Sequence, residues 1–356
     1  MKRNLLLLIC AVLLAFVSCK NETKTFEPET YTVGTGVFIL NEGTFTYANS
    51  SLSFYDFDKD KATNNLFFRV NNAPIGDVGQ SLALVDDNLY IVVNNSKYIY
   101  KVNAKTIEYK DKIDGFTSPR NMYVVGENKT YVTDIASPGF WTLNLSNNEK
   151  HLVNTGKATE CMAQVGNEVF VSNWSKSYVD FENNTVQVID CENDELVAEI
   201  VVAQEPKAMV VDKNNMIWVI STGGWDPMQP QDPALICINP ATREIVNRFD
   251  FTPGVDSPDG LAIDAAGENI FFMNGFYGGL NIYKMSVDAE QVPDTPLILS
   301  NGKLFYNLAV NPGNGDIYVT DAKNYVQNGD LVRYSADGTL LGTYEMGIIP
   351  SYMLFN

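Results

Sequence analysis

The sequence predicts an all-β protein, a single seven-bladed β-propeller closed by pairing of its C-terminal strand with the N-terminal blade. The first sign is a repeat: an aromatic residue in an apolar strand pattern recurs seven times, and each strand ends three or four residues later in a small polar side chain. The seven stretches are Phe38 to Asn41, Tyr90 to Asn94, Tyr131 to Asp134, Phe170 to Asn173, Trp218 to Ser221, Phe271 to Asn274 and Tyr318 to Asp321. Intervals of 52, 41, 39, 48, 53 and 47 residues between the aromatics match a four-stranded blade with variable loops. The second sign is the chain end. Pro350 to Phe355 reads as the opening strand of a blade with nothing after it, whereas the first repeat, starting near Val37, lacks that strand. Joining the two completes blade one and removes free sheet edges.

Taken in order, residues 1–18 carry Lys2 and Arg3, an apolar run from Leu5 to Val17, and Ser18 directly before Cys19. This is the pattern of a bacterial secretion signal ending in a lipobox, and the run is short against the roughly 20 residues a spanning helix needs. Cys19 is therefore expected to become the lipidated N-terminus, residues 19–30 a polar tether, and residues 31–356 the propeller, with membrane contact only through the lipid. Around each aromatic a short apolar strand, a tight turn, the aromatic strand, a polar loop and two further strands return in the same order. Blade two shows this as Ser81–Val85, the turn Asp86-Asp87-Asn88, Leu89–Val93, the loop Asn94–Lys97, Tyr98–Asn103 and Ile107–Ile113. Val, Ile, Tyr and Phe in short runs bounded by Asn, Asp, Gly and Pro are what strands and turns require. No long 3.6-residue periodicity competes after the first thirty residues.

Charge and composition narrow the function. The chain has 43 acidic and 25 basic side chains, and such a surface repels nucleic acid and anionic headgroups. Three cysteines follow Cys19, namely Cys161, Cys191 and Cys237, all in apolar strand patterns, which reads as packing rather than a disulfide framework. The one histidine, His151, sits in the outer-strand region of blade three, so a nucleophile system with an imidazole base is not expected. No close-spaced zinc ligands or strand-to-helix phosphate loop occur. Asp77, Asn121, Glu160, Asp259 and Asn307 stand near the starts of innermost strands, where oxygen ligands could hold calcium as in propeller lactonases; turn and strand capping is the simpler reading. No catalytic residue, metal or cofactor is expected, and the protein reads as a non-enzyme.

The loops joining second to third strands share one face of a propeller with the blade-to-blade connections. Here these loops are rich in aromatics and amides: Phe45, Tyr47, Phe140, Trp141, Trp174, Tyr178, Trp225, Phe276, Tyr277 and Tyr325 fall on that face, and the connections add Gln80, Arg120, Lys207 and Tyr306. All of these except Phe140, Lys207 and Tyr306 form the expected ligand-binding set. Rigid aromatics interleaved with Asn and Gln suit a large ligand with both flat apolar and amide surfaces. The longest loops, in blades four and five, carry Trp174, Lys176, Tyr178, Trp225, Met228 and Gln229, and long loops on a rigid scaffold are where specificity resides.

Phrases such as Asp316-Ile317-Tyr318-Val319-Thr320-Asp321 and Thr185-Val186-Gln187-Val188-Ile189-Asp190 resemble the YncE-like, YVTN-type β-propeller proteins, over nearly all of the mature chain. The first blade, with Phe38-Ile39-Leu40-Asn41-Glu42-Gly43 and Ser51-Leu52-Ser53-Phe54-Tyr55-Asp56, is similar to propeller lipoproteins of gut Bacteroidetes. Among these are the BtuG-type proteins, which capture cobalamin at the cell surface and pass it to an outer-membrane TonB-dependent transporter. Lys20-Asn21-Glu22 only partly matches the acid-rich stretch that marks surface export in that phylum. The resemblance implies an outer-membrane, surface-exposed lipoprotein that binds cobalamin or a related corrinoid and delivers it to such a transporter. The alternatives are a scaffold docking an envelope protein or a glycan, and a calcium-dependent lactonase-like hydrolase.

Overall fold

Seven antiparallel sheets stand around a central channel. The structure is a computed structural model, and it describes residues 27–174, 183–224, 231–276 and 279–356. Blade one comprises β1 (Gly36–Asn41), β2 (Ser51–Asp56) and β3 (Lys61–Thr63), and its innermost strand is β27 (Pro350–Phe355). Blade two is β4 (Gly79–Val85), β5 (Asn88–Val93), β6 (Tyr98–Asn103) and β7 (Tyr109–Asp114); blade three is β8 (Pro119–Gly126), β9 (Lys129–Asp134), β10 (Gly139–Asn144) and β11 (Lys150–Asn154). Blade four follows as β12 (Met162–Val165), β13 (Glu168–Asn173), β14 (Thr185–Asp190) and β15 (Glu195–Val201), and blade five as β16 (Pro206–Val211), β17 (Ile217–Ser221), β18 (Ala234–Asn239) and β19 (Glu244–Asp250). Blade six has β20 (Asp259–Ile263), β21 (Asn269–Asn274) and β22 (Asn281–Ser286); blade seven has β23 (Phe305–Val310), β24 (Ile317–Asp321), β25 (Asn328–Tyr334) and β26 (Leu340–Ile348). The innermost strands touch in the cyclic order β27, β4, β8, β12, β16, β20, β23 and back to β27.

Closure is the pairing of β27 with β1, from Val37 opposite Phe355 to Asn41 opposite Pro350. Asn356 secures the end: its side-chain oxygen accepts from the Gly36 amide at 2.9 Å and its amide donates to the Gly34 carbonyl at 3.0 Å.

The repeated aromatics are buried because each second strand is covered on both faces by neighbouring blades. All seven, from Phe38 to Tyr318, are at most 2% exposed. In blades two to seven the polar residue ending the strand ties it to an inter-blade connection, whereas Asn41 of blade one bonds to Ser51, Ser53 and Gly347. Asp134 accepts the Thr117 and Ser118 amides at 3.0 Å, Asp321 accepts the Leu304 amide at 3.0 Å, Asn274 accepts the Ser257 amide at 3.2 Å, and Asn173 donates to the Ala158 carbonyl at 2.9 Å. A buried strand end must satisfy its polar groups, so this side chain repeats while its identity varies.

The outer positions are less regular. After the three-residue β3, blade one carries a short helix, α1 (Leu66–Asn71), flanked by left-handed Asn65 (φ 57) and Asn72 (φ 51) and burying Leu66, Phe67 and Val70. No sequence signal pointed to it, since six residues are too few for a helical period. Asn71 bridges to blade two, donating to the Ile107 carbonyl at 2.9 Å and accepting the Tyr109 amide at 2.8 Å. In blade six the fourth strand is reduced to one bridge between Ile282 and Ile298. Cys161, Cys191 and Cys237 are buried free thiols, and no described helix is long and apolar enough to cross a membrane.

Candidate functional site

One register position in every blade points into the same channel mouth. The residue after each repeated aromatic pairs with an innermost-strand residue: Ile39 with Met353, Ile91 with Leu82, Val132 with Met122, Val171 with Met162, Val219 with Met209, Phe272 with Leu261 and Val319 with Leu308. Two residues before each of these partners stand Ser351, Gln80, Arg120, Glu160, Lys207, Asp259 and Tyr306. All seven line a channel cavity of about 530 Å³, joined by Glu42 just beyond β1. In the six blades other than the fourth this position falls at or beside a register shift, and a bulge re-aims the side chain away from the ladder.

The ring is knitted by charge. Arg120 clasps Glu160 through two hydrogen bonds of 2.7 and 2.8 Å and donates also to the Gln80 side chain. Lys207 donates to Asp259 at 2.7 Å. The Tyr306 hydroxyl donates to both Glu42 oxygens, at 3.1 and 3.2 Å. Burial opposes the charged forms of Arg120 and Lys207, but Glu160 and Asp259 more than offset it and hold both cations above their ordinary pKa values. Glu42 differs: burial raises its carboxyl above the usual range, only partly countered by Arg120, Tyr306 and Lys207. Burial, then the Glu42 charge, raises the Tyr306 hydroxyl well above its normal value. The Cys161 thiol, also on the channel wall, is pushed up to about 12 by burial, so it is not a thiolate nucleophile at neutral pH.

A groove of about 520 Å³ on the same face, over blades five to seven, meets the channel mouth at Trp174, Lys207, Asp259 and Tyr306 and extends to Gln231, Phe276 and Tyr325. The Arg120 guanidinium lies 5.7 Å from the Trp174 ring centroid, and Tyr325 packs edge-on against Tyr306 at 6.0 Å. Phe276 is 76% exposed.

Of the expected ligand-binding set, the structure brings Gln80, Arg120, Trp174, Phe276 and Tyr325 onto these two joined cavities. Phe45 and Tyr47 are exposed, 65% and 72%, on the β1–β2 loop but line neither cavity. Trp141 is not a loop residue: it lies in β10, its indole donates to Asp134 at 3.0 Å, and its ring packs edge-on against Phe116 at 5.8 Å. It fills the space between blades two and three, because the strand begins earlier than the aromatic run suggested. Phe140 is likewise wholly buried, 4.5 Å from Tyr131. Tyr178, Trp225 and Tyr277, with Lys176, Met228, Gln229 and Cys19, lie outside the described residues.

The five oxygen-bearing residues weighed for calcium do not form one cluster. Asp77 instead takes the Thr46 amide at 3.0 Å and Asn95 at 2.5 Å, pinning a blade-one loop. Asn121 and Asn307 donate to the backbone carbonyls of Glu160 and Ser351 at 3.0 and 2.5 Å. Glu160 and Asp259 face cations, and no group of three His, Cys, Asp or Glu suited to a metal occurs among the described residues. Sequence reasoning weighed Glu160 and Asp259 as calcium ligands or, more simply, as turn and strand caps, and missed both their ion pairs and Glu42. The available signal was the near-constant spacing of Gln80, Arg120 and Glu160, which differ in type but share a register.

Residues 35–356 match a family described as a domain of unknown function, DUF5074. The chain belongs to this family. No curated protein gives a significant match. Among solved structures, the chain is similar to a quinoprotein alcohol dehydrogenase-like protein from Bacteroides thetaiotaomicron, at 18% identity and a TM-score of 0.70, covering 92% of this chain and 79% of that one. It is also similar to a candidate 6-phosphogluconolactonase from Bacteroides fragilis, at 12% identity and a TM-score of 0.64, covering 93% and 100%. A third is the hydrazine synthase of Kuenenia stuttgartiensis, at 14% identity and a TM-score of 0.64, covering 77% and 88%. At these identities the likeness concerns the propeller fold alone.

Proposed function

We propose that this DUF5074 propeller is a lipid-anchored outer-membrane binding protein that captures cobalamin or a related corrinoid and hands it, chemically unchanged, to a TonB-dependent transporter. The observation that carries the reading is the continuity of the channel mouth with the aromatic groove across Trp174, Lys207, Asp259 and Tyr306. Each cavity alone has the size of a small-ligand site, and together they suit a broad ligand. Trp174, Phe276 and Tyr325 offer flat apolar surface, while Gln80 and Gln231 offer amides; a corrin ring fringed with amides has matching surfaces. Glu160 and Asp259 are each held by a cation, so neither is a carboxyl free to exchange a proton. The lipobox at Ser18-Cys19 supports the anchored location.

Mature protein mixed with cyanocobalamin and desalted is expected to emerge red, with EDTA making no difference. A colourless product removes the corrinoid reading. Cys19→Ala is expected to release the folded protein from the membrane fraction, and detergent-dependent extraction of that variant would contradict lipidation.

A further inference from the structure

Among the described residues five acidic and basic side chains line the channel mouth, and four of them pair with one another. Arg120 is paired with Glu160 at 2.7 Å and Lys207 with Asp259 at 2.7 Å. Glu42 has no ion-pair partner among the described residues; Arg120 and Lys207 act on it only from longer range, and its oxygens take the Tyr306 hydroxyl and a contact from Ser351. A carboxylate offers about four acceptor positions, so acceptor capacity remains on the cavity wall. The backbone cannot swing it away. The Glu42 amide donates to the Ile349 carbonyl at 2.9 Å, and the Glu42 carbonyl accepts from Ser50 Oγ at 2.5 Å and the Gly79 amide at 3.4 Å.

An acceptor held in this way, beside two satisfied ion pairs, favours a ligand N–H donor through a charge-assisted hydrogen bond. It disfavours a carboxylate at the same place, where like charges would face each other with little water between them. We infer that Glu42 is the specificity-determining residue of the mouth, accepting a hydrogen bond from a ligand primary amide and rejecting the corresponding carboxylic acid. This inference rests on the corrinoid reading, which supplies the amide.

The test compares cyanocobalamin with the monocarboxylic acids made by hydrolysing one of its side-chain amides at a time, by competition at pH 7.5. At least one acid is expected to bind the parent protein about tenfold or more weakly than cyanocobalamin, and Glu42→Gln to shrink that gap to about threefold or less. Tyr306→Phe, which removes a hydroxyl from Glu42 and keeps its carboxyl, is expected to keep the discrimination. If every acid binds the parent protein within about threefold of cyanocobalamin, the inference fails while the corrinoid reading stands; this arm needs no variant to fold. Discrimination that survives in folded Glu42→Gln also overturns it. Absence of any cyanocobalamin binding overturns both.

Discussion

Replacing Arg120 by Met tests whether the channel ring is a stabilising circuit or only a surface decoration. The Arg120 and Glu160 side chains are 15% and 6% exposed and share two short hydrogen bonds, so solvent screens the pair weakly. Removing one partner of a buried pair costs about 3–5 kcal/mol, because the other charge is left without compensation. Lys207 already interacts with Glu160 and relieves part of that penalty, which places Arg120→Met near the lower end, at about 3 kcal/mol. The double variant Arg120→Met/Glu160→Met removes both charges and is expected to lie within about 1 kcal/mol of the parent, since apolar replacement of a buried pair is often neutral. The assay is urea unfolding followed by far-ultraviolet circular dichroism, with midpoints compared at unchanged m. A single variant that loses less than about 1 kcal/mol, or a cycle with coupling below about 0.5 kcal/mol, would refute the reasoning.

Glu42→Gln probes the same ring through pH. Because burial raises the folded carboxyl above its unfolded value near 4.5, the parent's contribution from this group is fully present below that value and is lost as pH rises through the folded one. The variant lacks this loss, so its stability relative to the parent should grow from pH 4.5 upward and then level off; urea midpoints that keep a constant difference across pH 4–8 would contradict this. Deleting residues 351–356 removes most of β27 and the Asn356 clasp, exposing strand edges, and thermal unfolding at the parent temperature would show that closure is dispensable. Trp218→Ala should cost about 3–5 kcal/mol, since the ring is fully buried, stacked on Phe249 and bonded to Asp212 at 3.0 Å. Trp174→Ala should instead leave the melting temperature close to that of the parent and weaken cyanocobalamin binding by about 2 kcal/mol; equal destabilisation by both would make Trp174 a packing residue.

The propeller, its seven blades and its closure were legible in the sequence because they rest on local constraints repeated seven times. A second strand buried on both faces must be apolar around its aromatic, and its end must carry a side chain that satisfies the incoming connection, as Asp134 and Asp321 do. Blade two shows how closely the pattern tracks the fold: Tyr98–Asn103 is bounded as the sequence predicts, and the other strands differ by one or two residues at their ends. The outer strands face water and carry no such constraint, which is why α1 and the single bridge of blade six left no readable trace.

The site was legible only in part. That the loop face would gather Gln80, Arg120 and Trp174 followed from counting strands, since the count fixes which end of each blade a residue occupies. Trp141 was misplaced because an aromatic at a strand start looks like a loop aromatic until the strand's first residue is known, and only packing of its indole against Phe116 and Asp134 settles its direction. The pairing of Arg120 with Glu160 and of Lys207 with Asp259 joins residues 40 and 52 positions apart, and both pairs leave Glu42 without an ion-pair partner among the described residues. Sequence by itself placed Gln80, Arg120, Lys207 and Tyr306 on the loop face, because counting strands fixes the end of the blade each occupies. Only the tertiary structure decided which charges at the mouth neutralise each other, because that depends on closing a ring and on bulges that turn a side chain inward in six of the seven blades.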